Sequence, residues 1–222
     1  IFIIIYTIFI LLVNRCIVLL MKHCLICVNC KKKFQPSIFT LKCYDCDSVL
    51  KVEYKTHPKD EFSMLDSLFG LEVTSLGDGN TPIIPLCNLG KKIDHNYVYA
   101  KLEFLSPTGS FKDRGSNILL NVAKKFGVSE FIEDSSGNAG ASLAAYASFM
   151  NIKANIFVPA IASEAKKKQI QVYGAKIFPV EGSRNDTTIS AIKYANDNDI
   201  LYLSHNLSPY FSEGMKNVTY EI

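Results

Sequence analysis

The stretch FIEDSSGNAGASLAAYASFMNIKANIFVP, residues 131–159, decides the fold class. Phe131 and Ile132 mark a short strand, Ala139 to Met150 an alanine-rich helix, and Ala154 to Val158 a second strand closed by Pro159. The same alternation continues outward in both directions. Upstream, Tyr97 to Leu102 is a strand candidate, and Lys112 to Phe126 places Ile118, Leu119, Val122, Ala123 and Phe126 at helical spacing. Downstream come a helix from Ala162 to Tyr173 ended by Gly174 and a strand from Lys176 to Val180. A helix from Asp186 to Asn196 and a strand from Ile200 to Leu203 complete the series. Strand–helix alternation with short connections predicts an α/β fold, a parallel sheet with flanking helices. Ahead of it, His57 to Phe69 reads as a linker and a short amphipathic stretch. Leu76 to Pro85 reads as a loop broken by Gly77, Gly79, Pro82 and Pro85.

The composition is that of an ordinary globular protein: 222 residues, 48% apolar and 20% charged. A formal charge of +3 gives no footing to a nucleic-acid-binding class, and Lys31–Lys33 and Lys166–Lys168 read as solvated surface. Residues 1–20 are a separate matter. Ile1 to Val13 are almost wholly apolar, Asn14 and Arg15 interrupt, and Met21 is the first methionine. Three readings stand for this leader: upstream sequence before a start at Met21, a membrane anchor, or a buried helix. A spanning helix needs about 20 apolar residues, a length reached here only by including Arg15. Neither the basic region nor the small-residue cleavage site of a signal peptide is visible.

Five of the seven cysteines lie between Cys24 and Cys46. Cys27-x2-Cys30 and Cys43-x2-Cys46 supply four thiolates as two tight pairs, the set that tetrahedral zinc requires. Cys24-x2-Cys27 also fits as the first pair. Cys27 and Cys30 are preferred because the Lys-rich turn and Phe34 follow them. The bland alternative, two disulfides, would need an oxidising compartment that nothing else in the chain supports, so a cytoplasmic protein is expected. A ribbon this small is more often structural, with the metal replacing a core too small to stand alone.

Two strand-to-helix junctions carry unusual chemistry. In Pro107-Thr108-Gly109-Ser110-Phe111-Lys112-Asp113-Arg114-Gly115, Ser110 and Asp113 have the spacing of a capping box, which places Lys112 in the first helical turn. The positive end of the helix opposes an ammonium there and favours the neutral amine that a Schiff base with an aldehyde cofactor requires. In Asp134-Ser135-Ser136-Gly137-Asn138-Ala139-Gly140, small residues at a helix start let backbone N–H groups converge on an anion. Taken alone, each junction has a bland reading, a surface lysine and an ordinary capped turn.

Together, Ser110 to Gly115 and Ser135 to Gly140 closely resemble the type II (tryptophan-synthase-β-like) pyridoxal-phosphate enzymes and, more narrowly, the threonine synthases. Gly77-Asp78-Gly79-Asn80-Thr81-Pro82, Tyr202 to Pro209, Glu213-Gly214-Met215-Lys216 and Tyr220-Glu221-Ile222 point the same way. A zinc-ribbon-like N-terminus also occurs in that family. The resemblance covers Cys24 to Ile222, so that after the apolar leader over 1–20 it implies a zinc-ribbon-like module over 21–56 and the N-terminal part of a catalytic domain over 57–222. The type II fold would be incomplete, because relatives continue past Ile222 with a glycine-rich loop for the cofactor phosphate, and the fragment alone is expected to be inactive.

By the same resemblance, Lys112 forms the internal aldimine with pyridoxal 5'-phosphate and shuttles protons, while Asn138 hydrogen-bonds the cofactor ring oxygen. Ser135, Ser136 and Gly137 cradle the substrate carboxylate, and Lys101, Thr108 and Ser110 contact the substrate phosphate or shape its pocket. Cys27, Cys30, Cys43 and Cys46 hold a structural zinc. The implied reaction converts O-phosphohomoserine and water to threonine and phosphate. The partner is thus a small molecule, with a homo-oligomer admitted, no nucleic acid, and no membrane unless residues 1–20 are part of the protein. Ser208 stands where relatives often have Asn, and Lys31 and Asp47 stand where glycine commonly follows each cysteine pair. Two alternatives stay open: another type II enzyme, cysteate-synthase-like or a serine/threonine dehydratase, and a ribbon that binds nucleic acid or a partner beside an inactive sheet.

Overall fold

The computed structural model describes residues 21–70 and 73–222. The readings of the leader fall on residues outside that range. Among the described residues no helix is long and apolar enough to cross a membrane.

The predicted α/β alternation is present. Strands β6 (Glu130–Glu133), β7 (Lys153–Pro159), β8 (Lys176–Val180) and β9 (Leu201–Tyr202) form one parallel sheet in the order β8-β7-β6-β9. Phe131 pairs with Ala154 and Leu201, and Ile156 with Ile177. Successive residues face opposite sides, as the pleat demands. Phe131, Ala154, Ile156 and Val158 enter the main core, whereas Ile132 and Phe157 join Ala191 and Ala195 on the other face.

Both faces are therefore covered, as an all-parallel sheet requires. Helices α3 (Lys112–Lys125), α4 (Asn138–Phe149) and α5 (Glu164–Val172) contribute to the main-core side, and α6 (Arg184–Asn198) covers the other. The run from Ala139 to Ala147 in α4 is buried without a break, so its small residues let neighbours approach from all sides.

Between the cysteine-bearing segment and the sheet lie four further α-helical and β-strand elements. Helix α1 (Glu61–Phe69) is opened by a capping box between Asp60 and Ser63 and closed by Gly70 at φ 71°. Strand β4 (Ile83–Pro85) pairs antiparallel with β5 (Tyr99–Lys101), and α2 (Cys87–Lys92) connects them. Two expectations need correcting here. The strand predicted over Tyr97 to Leu102 is shorter and lies outside the parallel sheet, and the predicted loop over Leu76 to Pro85 ends in its partner. An isolated two-stranded ladder tolerates Pro85, whose missing N–H would interrupt a central strand.

The cysteine-bearing segment is a three-stranded antiparallel sheet, β2-β1-β3, of β1 (His23–Cys27), β2 (Lys33–Phe34) and β3 (Leu50–Tyr54). Its Leu25, Ile38, Leu50 and Val52 pack in the same core as Met64, Leu68, Leu119 and Tyr210. The last helix, α7 (Pro209–Lys216), begins with proline at its first position and lies between this segment and α3.

Candidate active site

Lys112 is the first residue of α3, in the first turn as expected, but the capping box predicted for Ser110 and Asp113 does not form. The carboxylate of Asp113, fully buried, is taken elsewhere. It accepts from Thr108 N at 2.7 Å, Thr108 Oγ1 at 2.5 Å and Ser142 Oγ at 2.6 Å. Ser110 Oγ accepts instead from the Lys112 amide at 3.3 Å. The consequence is a stiff loop. Asp113 ties residue 108 to α3 and α3 to α4, which fixes the backbone from which Lys112 projects.

The Lys112 side chain is half-buried, and its Nζ lies 4.7 Å from the Phe111 ring centroid and 5.7 Å from that of Phe211. No carboxylate or hydroxyl among the described residues claims the amine. Two aromatic rings, not an acid, are its neighbours.

The second junction starts α4. Ser135 is buried, Ser136 and Gly137 are half-buried, and Asn138 is exposed. The Gly137 amide donates to Ser135 Oγ at 3.4 Å. A Cβ at Gly140 would sit 1.9 Å from the Ser135 carbonyl oxygen, so only glycine lets the loop fold this tightly over the first helical turn. The N-terminal N–H groups of α4 lack helical acceptors and face the loop. Because Ser142 joins α4 to Asp113, the junction and Lys112 sit on adjoining helix starts at the same, C-terminal edge of the sheet.

Two features of this edge went unread in the sequence. Glu133, the fully buried last residue of β6, accepts from His205 Nδ1 at 2.5 Å and His205 N at 3.1 Å. Burial pushes the Glu133 carboxyl up, and His205 opposes that rise. The His205 ring stands edge-on to Phe211, centroids 5.6 Å apart. Asp134, next along the chain, accepts from Arg184 at 2.6 Å, Thr188 at 2.5 Å and Tyr202 at 2.9 Å. A run of two acids at a strand end was the available signal.

The other expected site residues are placed as follows. Thr108 and Ser110 belong to the Lys112 loop. Lys101 Nζ is engaged by Glu221 and by the Thr81 carbonyl, both at 2.5 Å. Arg114, only 1% exposed, grips Glu103 (2.8 and 2.9 Å) and Glu221 (2.5 and 2.9 Å). Burial works against the Glu221 carboxylate, yet Arg114 and Lys101 bring it down to about 2.

The thiols of Cys27, Cys30, Cys43 and Cys46 converge, all within 4.8 Å of one another. The closest contacts run between the pairs, Cys27 to Cys46 at 3.4 Å and Cys30 to Cys43 at 3.5 Å. Tetrahedral zinc with bonds of about 2.3 Å places sulfurs about 3.8 Å apart, so the donor set fits that ion. The two knuckles match each other: Cys27 N donates to Lys32 O, and Cys43 N donates to Ser48 O. Lys31 (φ 63°) and Asp47 (φ 53°) occupy the left-handed position of each turn. Cys24 stands apart, its Sγ 3.6 Å from Glu53, and His23 bonds to Ser67 and Tyr210 rather than joining the thiols.

A family model described as "Pyridoxal-phosphate dependent enzyme" matches residues 74–222. The chain belongs to that family. As a pyridoxal-phosphate dependent enzyme chain, it is similar to the threonine synthase of Bacillus sp. (strain ULM1), 38% identical over 149 residues covering 67% of this chain and 42% of that protein. The threonine synthase of Methanocaldococcus jannaschii is 31% identical over 213 residues, 88% of this chain and 52% of that protein. The chain thus spans about half the length of the curated relatives it matches. Two solved structures share the fold: tomato (Solanum lycopersicum) threonine deaminase isoform 2, TM-score 0.59 at 19% identity over 64% of this chain and 39% of that one, and maize serine racemase, TM-score 0.55 at 20% identity over 62% and 42%.

The site fits the family's cofactor in its donors. An amine free of ion pairs suits an aldehyde, and an open helix start of small residues suits an anion.

Proposed function

We propose that the chain is part of a threonine synthase, acting on O-phosphohomoserine and water to give threonine and phosphate. One observation carries the reading: the Lys112 amine, unclaimed by any described acid, in the first turn of α3 beside the open start of α4. The similarity to proteins named threonine synthase narrows the substrate from that general chemistry. Pyridoxal phosphate, when bound, supplies an electron sink for carbanion chemistry.

The chain's own residues supply the rest. Lys112 would hold the cofactor through its aldehyde, and its amine would carry protons at the substrate's Cα, Cβ and Cγ as phosphate leaves Cγ and water adds at Cβ. Asn138, exposed at the start of α4, would offer its side-chain amide to the cofactor ring. The N–H groups and hydroxyls of Ser135, Ser136 and Gly137 hold the substrate carboxylate at the helix start, where the dipole favours an anion. Thr108 and Ser110 shape the adjoining wall, and Lys101 reaches the phosphate only by leaving Glu221. Cys27, Cys30, Cys43 and Cys46 bind a structural zinc in a ribbon ahead of the catalytic part.

The experiment is an assay of phosphate release from O-phosphohomoserine by the longest product of the gene, with and without Lys112→Ala. Release that needs pyridoxal phosphate and vanishes in the variant supports the reading. Release unaffected by Lys112→Ala sinks it. Turnover of serine or threonine, with O-phosphohomoserine inert, would move the assignment to a dehydratase.

A further inference from the structure

The sheet that carries the cysteines is fastened to the helix that walls Lys112. Strand β1 begins at His23 and ends at Cys27. His23 Nε2 lies 3.1 Å from the Tyr210 hydroxyl, its ring edge-on to the tyrosine with centroids 5.6 Å apart. His23 pairs with Tyr54 in the β1–β3 register, and Tyr54 donates its hydroxyl to Glu213 at 2.8 Å. Tyr210 and Glu213 are three residues apart on α7 and share one face of it.

Phe211 follows Tyr210 by one residue and points about 100° away around the helix. Its ring lies over Gly115, where a Cβ would come within 2.7 Å of it, and 5.7 Å from Lys112 Nζ. Helix α7 also presses on α3 at Gly214, where a Cβ would meet the Arg114 carbonyl oxygen at 2.2 Å. One face of α7 is thus held by the cysteine sheet, and the neighbouring face sets the wall beside the lysine. Tyr210 is fully buried, Phe211 is 4% exposed, and the two are adjacent on one close-packed helix, so a displacement of α7 at one carries the other.

We propose that the cysteine ribbon is a positioning element for Lys112, with Tyr210 as the residue that couples the two. This rests on the reading of Lys112 as the cofactor lysine. Tyr210 acts through Phe211 and is a positioning residue, not a catalytic one.

The test uses the chain with pyridoxal phosphate, trapped by borohydride reduction and mapped by peptide mass spectrometry, so that weak attachment is still recorded at each lysine. Lys112 is expected to be labelled ahead of the surface lysines in the unaltered chain. In Tyr210→Phe, labelling at Lys112 is expected to fall by about threefold or more, the low end of coupling between contacting residues, with labelling at the other lysines unchanged. Tyr54→Phe, which loosens the second fastening, is expected to lower it in the same sense. Lys112 labelling in Tyr210→Phe equal to that of the unaltered chain overturns the inference, as does a loss shared by every lysine. If Tyr210→Phe does not fold by circular dichroism, Tyr54→Phe decides by the same criteria. Failure of the unaltered chain to favour Lys112 removes the cofactor-lysine reading itself, a result distinct from insensitivity to Tyr210.

Discussion

At Arg114 a buried guanidinium meets two carboxylates at once, Glu103 from one side and Glu221 from the other. Both contacts are two-pronged, a geometry that a lysine ammonium cannot reproduce. Removing the cation leaves two acids facing each other in a poorly hydrated space. Arg114→Leu is therefore expected to lower unfolding free energy by roughly 3–5 kcal/mol in urea titration, with Arg114→Lys giving little rescue. Lys31 presents the opposite case, a residue whose replacement helps. Its φ of 63° is costly for any side chain, whereas its hydrogen bond to the Val28 carbonyl is exposed. Lys31→Gly is expected to stabilise by about 0.5 kcal/mol, the relief of left-handed strain less the added freedom of the unfolded glycine. An unchanged or lower midpoint would count against strain at that turn. Lys31 also illustrates how far a residue pattern reaches: it stands where glycine commonly follows the cysteine pair, and it keeps the left-handed φ that glycine would supply.

Among the elements, α3 and α7 cross at a glycine on each side, Gly115 beneath Phe211 and Gly214 against the Arg114 backbone. A methyl at Gly214 must push the helices apart, so Gly214→Ala is expected to cost on the order of 2–3 kcal/mol, read from the denaturation midpoint. The parallel strands and the helices between them were legible because short apolar runs alternate with helical periodicity across short connections. Helix α7 was not foreseen as a helix, since its eight residues offer two turns and a mixed pattern. The capping signal shows the limit most clearly. Ser183 and Asp186 form a capping box, whereas Ser110 and Asp113, with the same spacing, do not. Asp113 is claimed by Thr108 and by Ser142, the latter 29 residues away, a competition invisible to a local window. The site residues on either side of Lys112 were legible as a combination of motifs. The Glu133–His205 contact spans 72 residues and depends on which strand lies beside β6.

For the molecule as a whole, His23 is the buried joint between β1, α1 and α7. Burial, opposed only in part by the Ser67 carbonyl and assisted by Lys55, lowers its pKa to about 4. The unfolded chain binds a proton there near pH 6.5, and the folded chain does not until about pH 4. Stability is accordingly complete above pH 6.5 and falls as pH drops towards 4, by on the order of 3 kcal/mol over that window. His23→Gln, compared under identical metal conditions, is expected to flatten this slope while lowering stability at pH 7. A slope unchanged by the substitution would assign the acid sensitivity elsewhere. The same joint sets a timetable for the chain on the ribosome. His23 and Tyr210 are 187 residues apart, and at about 5–20 residues per second the strand waits roughly 10–40 s for its helix. The four cysteines, complete by residue 46, can gather long before that, leaving a finished ribbon with one apolar flank awaiting a partner not yet synthesised.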